Sequence, residues 1–502
     1  MPSLTAYDYI LVGAGTAGCV LADRLSQDEN ARVLLLEAGS SALPDAVAEP
    51  PAWPSLASSA AGWGDATVPQ GASGAPVALP RGKGLGGSSA INAMVFARGH
   101  HTSYESWSDH GAKGWTFDDL LPYFQRSETA VSGAPGRGTN GPLFVAPAAD
   151  PNELLLACLS GAVEAGHRRA FDISGGLEEG FAPVDLNIVS GRRQSAADAY
   201  LHRALHRPNL DVVTDAVVHR LLFDGTRCTG VEFRAQGGVR TAAAGEVVLT
   251  AGAIGSAQLL LRSGIGPEDD LRQAQVDMLH ALPGVGRNLH DHPRANLVYR
   301  ARRPVPAARN NHGEIIGLLR SAPELDGPDL QIIFIDIPVP NPVAPVRNGF
   351  TIGVSPMRPA SRGTLRITSA DPYAPPVIDP NYFAEERDVQ VVLSGIREAR
   401  RIASSSAPSA WGIEEVSPGL DAVDAQSLGD HARRHFGSYC HPVGTCMMGE
   451  DEVSVVDSAL RVRGLDGLRV ADASVIPSIP SNNTNATVYA IAERAADLLR
   501  GV

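Results

Sequence analysis

The residues most informative about the fold of this chain are Tyr7–Gly39, YDYILVGAGTAGCVLADRLSQDENARVLLLEAG. Its pattern predicts a strand, a tight glycine turn, a helix and a second strand that ends in an acidic residue. Gly13, Gly15 and Gly18 have the spacing G-x-G-x-x-G: the first permits the turn, the second lets the backbone approach a pyrophosphate, and the third lets helix pack on strand. Glu37 closes the second strand, where a carboxylate can accept ribose hydroxyls. The stretch therefore predicts a Rossmann-like unit that binds a dinucleotide, either FAD or NAD.

Composition and charge narrow the range of partners. The 502 residues are 44% hydrophobic and 19% charged, as in a soluble globular protein, and the net charge is −13. Because only two of the 42 basic residues are lysines and no basic cluster occurs, we expect neither nucleic acid nor an anionic membrane as a partner. No apolar run is long enough to span a bilayer, and the first strand begins too early to leave room for a secretory signal.

The five cysteines are scattered along the chain and odd in number. This usage predicts reduced thiols and a cytoplasmic protein rather than a disulfide framework. No metal-ligand spacing occurs among them, and the pair Cys440 and His441 lacks further ligands nearby, so we expect no metal site.

The sequence texture changes between about residues 307 and 432. Strand-like runs such as Leu330–Ile337 and Gly363–Thr368 alternate there with turn clusters and with the helical stretch Glu386–Ser404. This alternation predicts a separate unit, an antiparallel sheet with helices on one face.

Two further glycine clusters resemble ligand-binding turns. Arg81–Asn92, RGKGLGGSSAIN, is a flexible loop that opens onto a helix, and its small residues can let the backbone approach a flat ring or a phosphate. An ordinary loop with a serine N-cap explains it as well. Thr250–Pro267, TAGAIGSAQLLLRSGIGP, likewise places small residues before a helix, which then ends at glycines. An ordinary helix with a glycine C-cap is the alternative interpretation there.

With these clusters in place, the chain resembles the glucose–methanol–choline (GMC) flavoprotein oxidoreductases from end to end. Arg81–Asn92 with the residues that follow looks like the family's first signature, and Gly252–Gly266 looks like its second, with Ala257 where proline is usual. Further family-like stretches are GRNLHDH at 286–292, SPMRPASRG at 355–363, YCHPVGTCMMG at 439–449, VADASVIP at 470–477 and SNNTNATVYAIAERAAD at 481–497. The family's cofactor is FAD, which the resemblance assigns to the first glycine site.

The resemblance implies an α/β fold in two parts. The first is a Rossmann-like FAD-binding domain of GMC type, formed by residues 1–145, 192–305 and 435–502. The second is a discontinuous α+β substrate domain built on an antiparallel sheet, formed by residues 146–191 and 306–434.

The resemblance also implies which residues contact FAD, mostly through backbone and small side chains. The expected contacts are Gly13, Gly15, Thr16, Ala17, Gly18, Glu37, Ala38, Arg81, Gly84, Gly86, Gly87, Ser88, Asn92, Ala93, Met94, Val95, Val218, Ala251, Gly252, Asp472, Ala473, Asn485 and Ala486. For Asp472, a helix or turn cap is the alternative.

Two residues near the C-terminus correspond to the family's catalytic pair. His441 aligns with the catalytic histidine and Asn485 with the second active-site position, which is histidine or asparagine in different members. Histidine suits a base that takes the hydroxyl proton as hydride leaves for flavin N5, and asparagine can donate a hydrogen bond to the developing alkoxide. Asn485 precedes an amphipathic helix, Thr487–Arg500, whose N-terminus we expect to point at the flavin N1–C2=O region.

Two departures from the family pattern carry consequences. Some members attach FAD covalently through a histidine at the position of Ile91, so we expect non-covalent FAD here, with His100 and His101 as the nearest histidines. Cys440 stands where an aromatic residue commonly precedes the catalytic histidine. It either leaves room for bulkier alcohols or simply packs differently.

The resulting prediction is an FAD-dependent alcohol oxidase or dehydrogenase. Its substrate is a small alcohol, primary and possibly aryl or furanic; choline is possible but not favoured. A hydroxynitrile lyase-like activity and a fatty-acid photodecarboxylase-like activity are the alternatives on the same fold. The sequence leaves open whether O₂ or another acceptor reoxidises the flavin, and whether the protein is a monomer or a homodimer.

Overall fold

The computed structural model describes residues 6–340 and 345–501. The predicted domain ranges also include residues 1–5, 341–344 and 502, which lie outside the described residues. The strands are β1 (Ala6–Val12), β2 (Val33–Leu36), β3 (Glu128–Ala130), β4 (Leu143–Pro147), β5 (Gly180–Pro183), β6 (Asp185–Leu186), β7 (Ile188–Val189), β8 (Arg192–Arg193), β9 (Leu210–Val213), β10 (Val217–Asp224), β11 (Arg227–Ala235), β12 (Gly238–Leu249), β13 (Ile265–Gly266), β14 (His280–Ala281), β15 (Pro293–Arg300), β16 (Ile315–Leu319), β17 (Leu330–Ile335), β18 (Gly349–Pro356), β19 (Thr364–Arg366), β20 (Val377–Asp379), β21 (Glu414–Ser417), β22 (Phe436–Ser438) and β23 (Leu468–Val470). The helices are α1 (Thr16–Leu25), α2 (Trp53–Leu56), α3 (His101–Ser108), α4 (Phe117–Ser127), α5 (Glu153–Glu164), α6 (Gly252–Arg262), α7 (Glu268–Gln273), α8 (Glu386–Ala403), α9 (Ser406–Ser409), α10 (Ala425–Arg434) and α11 (Asn485–Arg500).

The first sheet is parallel at its centre. β1 pairs in parallel with β2 and β12, β2 continues to β9, and β12 also pairs in parallel with β23. All four residues of β2 are buried, as in a sheet covered on both faces. The strands β10 and β11 add an antiparallel extension to β12. The predicted strand–turn–helix–strand unit is therefore confirmed, and its glycine turn lies at the carboxyl end of β1.

The second sheet is antiparallel, with the strand order β21, β15, β18, β17, β16 and β5. Alternate residues of β17 divide between its faces: Leu330, Ile332 and Phe334 pack with α5, α8 and α10, whereas Ile333 and Ile335 face the other way. This confirms the predicted antiparallel sheet with helices on one face and leaves its other face for the site.

One predicted domain boundary differs from the structure. β15 and β22 belong to the antiparallel sheet, although the predicted ranges 192–305 and 435–502 place them in the FAD-binding part. The reason is that β15 continues directly from the 286–292 motif and finds its hydrogen-bond partners in β18 and β21. As a result His292 stands where the two parts meet.

The C-terminal helix α11 is fixed against the first sheet's helix α1. The buried Glu493 forms ion pairs with Arg24 of α1 and with Arg126 of α4. The helix ends at Gly501, which has a left-handed conformation with φ 73°. It begins at Asn485, two residues earlier than the sequence predicts. Within the described ranges, no helix is long and apolar enough to cross a membrane.

Candidate active site

A cavity of about 630 Å³ lies between the two sheets. It runs from the glycine turn after β1, past Val218 and the Arg81–Asn92 loop, to His441 and to Ile333 and Ile335 of β17. The parallel sheet thus contributes one end of the cavity, and the face of the antiparallel sheet that carries Ile333 and Ile335 contributes the other.

The three glycines of the fingerprint have three different physical roles. At Gly13, with φ +107°, a Cβ atom would lie 2.8 Å from the carbonyl oxygen of Thr250. At Gly18 a Cβ atom would lie 1.9 Å from the carbonyl oxygen of Gly13, so helix and strand pack together only without a side chain there. At Gly15 the nearest atom would be 3.9 Å away, which leaves the backbone open toward the cavity. Gly15 also begins α1 without a side-chain cap, so the first N–H groups remain for a ligand.

Glu37 is held rigidly at the end of β2. One carboxylate oxygen accepts from the N–H of Ala14 at 2.8 Å, and the other accepts from Gly39 at 2.8 Å and Gly84 at 3.0 Å. Its burial raises the pKa of the carboxyl group, which these three donors oppose. Because a carboxylate has about four acceptor positions, one remains for a ligand hydroxyl. Gly84 therefore contributes through Glu37.

Most of the predicted cofactor residues line the cavity. Those that do are Gly13, Gly15, Thr16, Ala17, Glu37, Ala38, Arg81, Gly87, Ser88, Asn92, Ala93, Val95, Val218, Ala251, Gly252, Asp472, Ala473 and Asn485. The others predicted do not border it: Gly18, Gly84, Gly86, Met94 and Ala486. Gly84, Gly86 and Met94 have a positive φ and shape turns behind the wall, whereas Gly18 and Ala486 lie in α1 and α11.

Asp472 caps the turn that begins at Ala473, which is the alternative to a direct contact with the cofactor. Its carboxylate accepts from the N–H groups of Gly252 at 2.9 Å and Ser474 at 2.8 Å, and from the hydroxyls of Ser256 and Ser474. Four donors from the protein occupy both oxygens. Asp472 therefore joins the start of α6 to the turn at 473–475, and both segments border the cavity.

A row of hydrogen bonds determines which nitrogen of His441 carries the proton. Nε2 of His292 lies 3.1 Å from the carbonyl oxygen of Met357, so this nitrogen must be the donor. Nδ1 of His292 is then an acceptor, and it lies 3.0 Å from Nδ1 of His441. His441 therefore carries its proton on Nδ1, and its Nε2 is unprotonated and can accept a hydrogen bond. That nitrogen lies 3.2 Å from Nδ2 of Asn483, which donates to it.

The surroundings keep both imidazoles neutral. Burial lowers the pKa of His441 well below its usual value, and the nearby His292 and the charge of Arg294 lower it further. Burial likewise lowers the pKa of His292 to about 3. A neutral His441 with its lone pair toward the cavity is suited to accept a proton.

Asp291 fixes the backbone that carries the two histidines, and sequence reasoning missed this role. One oxygen accepts from the N–H groups of His292 at 2.8 Å and His441 at 2.7 Å. The other accepts from the hydroxyls of Tyr382 and Ser438. Four donors converge on this one buried carboxylate. Asp291 therefore fixes the position of the 286–292 motif relative to the residues around His441.

The structure places a different asparagine against His441 from the one predicted. Asn483 contacts His441, whereas the Oδ1 atom of Asn485 accepts from the hydroxyl of Thr16 at 2.9 Å. Asn485 is the first residue of α11, so its side chain points back toward the start of α1. Within the described residues, Oδ1 of Asn483 and Nδ2 of Asn485 are buried without a hydrogen-bond partner. Both residues line the cavity, so these two atoms are left for a bound molecule.

The residues present fit a flavin dinucleotide. Open backbone at Gly15, an uncapped helix start, the remaining acceptor position of Glu37 and the free amide hydrogen of Asn485 lie along one cavity. Ile91 borders the same cavity and is packed against Leu56 and Ala61. An aliphatic side chain cannot form a covalent bond to the flavin at that position.

Other residues of the cavity wall were not predicted. They include Trp53, Arg294, Asn311, Ile333, Tyr439 and Asn483. Asn311 is used internally, since its Nδ2 donates to the carbonyl oxygen of Ala93 and its Oδ1 accepts from Gly313. The alternation of β17 could have indicated Ile333, whereas nothing local distinguishes the rest.

A dinucleotide cradle that opens onto a neutral histidine is the arrangement expected of a flavin-dependent oxidoreductase acting on CH–OH groups. Family models described as GMC oxidoreductase match residues 7–294 and 359–492. The chain belongs to this family, whose members use FAD.

Proteins of known activity resemble the chain over its whole length. The oxygen-dependent choline dehydrogenase of Photobacterium profundum is 38% identical, covering 99% of this chain and 93% of that protein. The crystal structure of pyridoxine 4-oxidase from Mesorbium loti superposes with a TM-score of 0.94 at 34% identity, covering 99% of both chains. A formate oxidase from Aspergillus oryzae gives a TM-score of 0.90 at 26% identity, covering 99% of this chain and 98% of that one.

Proposed function

We propose that this enzyme oxidises a primary alcohol to the aldehyde, with His441 as the base that takes the hydroxyl proton. The observation that carries the proposal is the row of hydrogen bonds from Met357 through His292 to His441, because it leaves Nε2 unprotonated at the cavity, where a substrate hydroxyl can take the place of Asn483. Asn483 lies beside that nitrogen and can donate to the substrate oxygen once a substrate displaces its present contact.

Three residues of the chain act in the proposed reaction: His441, Asn483 and His292. Bound FAD supplies the acceptor for the hydride that leaves the alcohol carbon. His441 takes the proton from the hydroxyl as the C–H bond breaks. The alcohol therefore loses one hydrogen with two electrons as the hydride and its second hydrogen as the proton, which leaves the aldehyde. Asn483 stabilises the oxygen as negative charge develops on it, and His292 positions His441 by accepting a hydrogen bond from its Nδ1–H.

For the cofactor we propose non-covalent FAD bound by the predicted residues. The open backbone at Gly15 supports the pyrophosphate site, and Ile91 supports the absence of a covalent link. The free Nδ2 of Asn485 and the first turn of α11, which has no side-chain cap, support placing the flavin ring beside this helix start. There the helix dipole would stabilise negative charge on the reduced ring.

For the substrate we propose an aryl or furanic alcohol. The apolar side chains Trp53, Ile333 and Ile335 line the cavity and can cover a flat ring. Cys440 also lines the cavity, in a left-handed conformation with φ 64°. Cys440 as a residue is exposed, but desolvation of its thiol and the carboxylate of Asp291 raise the pKa of the thiol to about 12, so we assign it the role of a small wall residue and not of a nucleophile.

We propose that the enzyme works in the cytoplasm. All five cysteines are unpaired, and four of them are buried. Free thiols in these numbers suit a reducing compartment.

Anaerobic bleaching of the bound flavin tests the proposed function. The holoenzyme is mixed without oxygen with primary aliphatic, aryl and furanic alcohols, and the visible absorbance of the oxidised flavin is followed. We expect at least one primary alcohol to bleach it, with one aldehyde formed per flavin. Absence of bleaching by every alcohol, together with cyanohydrin cleavage or light-driven release of CO₂ from a fatty acid, would contradict the proposal.

The rate of flavin reduction should depend on pH in a particular way. Only neutral His441 can accept the proton, and its pKa lies well below the usual value. We therefore expect the rate with a neutral alcohol to stay constant from about pH 8 down to about pH 6 and to fall only at lower pH. The measurement is rapid anaerobic mixing over a series of buffers. A fall centred at or above about pH 6.5 would show that the base is not desolvated as described.

A further inference from the structure

Arg294 is the one cationic side chain that β15 brings into the described cavity wall. It is the second residue of the strand and lies on the face opposite to Ala295 and Leu297, which pack with the helices. Gly353 on the neighbouring strand β18 provides the space for it, since a Cβ atom there would lie 2.9 Å from Cδ of Arg294. The fold therefore accommodates a long side chain that ends in the cavity.

The guanidinium group of Arg294 has no acidic partner among the described residues, and its Nε atom is buried without a hydrogen bond. Among the buried arginines, Arg98 and Arg137 are paired with carboxylates, whereas Arg193 has no acidic partner but donates to the carbonyl oxygens of Val47 and Ser89 and to Oδ1 of Asn92. Arg98 contacts Glu128 at 2.6 Å, and Arg137 contacts Glu128, Asp172 and Asp185 at 2.7 to 2.9 Å. Because an unpaired cation in a partly desolvated site is costly, its presence in the cavity requires another explanation.

The guanidinium group is held in a defined place. Its central carbon lies over the ring of Tyr439, 5.2 Å from the centroid. The Tyr439 hydroxyl donates to Oε1 of Gln331 at 2.5 Å, and Nε2 of Gln331 donates to Asn482 at 3.0 Å. On the same tyrosine, the ring of His441 stacks at 4.8 Å between centroids and 26° between planes. Tyr439 thus sets the position of the cation relative to the base.

The remaining charges in the cavity do not neutralise Arg294. The acidic side chains in the described wall are Glu37, Asp65 and Asp472. Glu37 and Asp472 are satisfied by the donors given above, and Asp65 is paired with Arg81 at 2.6 Å. The substrate end of the wall is otherwise neutral, with Trp53, Asn311, Ile333 and Ile335.

We propose that the substrate carries a carboxylate, which Arg294 binds while the alcohol carbon faces His441. The inference rests on the proposed function and names its substrate class. The guanidinium carbon of Arg294 and the ring centroid of His441 both lie close to the ring centroid of Tyr439, at 5.2 Å and 4.8 Å. Arg294 and His441 are therefore near enough to each other that the spacer between the carboxylate and the carbinol carbon of the substrate is one ring or a short chain. A quaternary ammonium group would face a like charge at this position, which disfavours choline.

A pair of probes that differ only in charge tests this inference. 4-(Hydroxymethyl)benzoate carries the anion, and 4-(hydroxymethyl)benzamide has the same shape without it. We expect kcat/KM of the wild-type enzyme to be about tenfold to hundredfold higher for the benzoate. In Arg294→Gln this ratio should fall at least tenfold, whereas Arg300→Gln should keep it, because Arg300 lies on the same strand but is exposed and paired with Glu414.

Binding of benzoate to the holoenzyme, measured by calorimetry, provides a readout that needs no turnover. We expect the dissociation constant to rise at least tenfold in Arg294→Gln and to stay unchanged in Arg300→Gln. The inference is overturned if the wild type prefers the benzamide, or if benzoate binds wild type and Arg294→Gln equally. Loss of benzoate binding in Arg294→Gln with no oxidation of any alcohol would support the anion site and refute the proposed oxidation, so the two failures are distinguishable.

Discussion

Replacement of His441 by alanine should lower the rate of anaerobic flavin reduction by an alcohol about 10²- to 10⁴-fold, which corresponds to about 3 to 5 kcal/mol of transition-state stabilisation. The reason is that within the described cavity wall His441 presents a neutral imidazole whose unprotonated Nε2 is held in place by its neighbours. Without it the alcohol must lose its proton to water.

The control for this variant is His206→Ala, which removes an exposed histidine. Both variants should keep a full complement of FAD, since His441 belongs to the substrate end of the cavity, and the visible spectrum checks this. The rate in His206→Ala should equal that of the wild type. A His441→Ala enzyme that binds FAD and is reduced as fast as the wild type would show that another group is the base.

Replacement of Gly18 by alanine should abolish FAD binding or folding. Its Cβ atom would lie 1.9 Å from the carbonyl oxygen of Gly13, so α1 must move away from β1. Overpacking of this kind costs about 1 to 3 kcal/mol or more, and displacement of α1 also moves the pyrophosphate site and Thr16, which holds Asn485. The measurement is the flavin content and the yield of soluble protein.

Gly71→Ala is the matched control, because no atom lies within 4 Å of the Cβ position there and the backbone has no positive φ. This variant should retain its FAD and its thermal stability. Normal flavin content in Gly18→Ala would mean that the helix and strand are not packed as closely as the structure shows.

The first glycine fingerprint could be predicted because its roles are local. Each glycine is required by contacts within one strand–turn–helix unit and the strand beside it, and the apolar runs on either side are fully buried. The antiparallel sheet was predictable for the same reason, since alternation along β17 gives each residue its face.

The details around His441 could not be predicted in this way. Three asparagines lie close together at 482, 483 and 485, and the one that contacts His441 depends on where the chain turns into α11. Arg294 follows a recognisable motif, but its lack of an acidic partner depends on β17, β18 and the residues around Tyr439, which are distant in sequence. Contacts between distant segments decide both features.

Membership in the family therefore does not determine the substrate of this chain. The curated relative that is 38% identical is a choline dehydrogenase, yet the cavity of this chain contains an unpaired arginine. A shared fold and the proposed base are compatible with a different charge on the substrate, because Arg294 lies on β15 and His441 lies in the segment after β22, so the two positions can change independently.

Hydride transfer from the alcohol carbon to the flavin is tested most directly by anaerobic rapid mixing of the holoenzyme with benzyl alcohol and with benzyl alcohol deuterated at the carbinol carbon. We expect both alcohols to reduce the flavin, benzaldehyde to form in an amount equal to the reduced flavin, and deuterium to slow the reduction. Consumption of the alcohol while the flavin stays oxidised would rule out hydride transfer to the flavin, as would reduction at the same rate with both alcohols in a range where alcohol binding is not limiting.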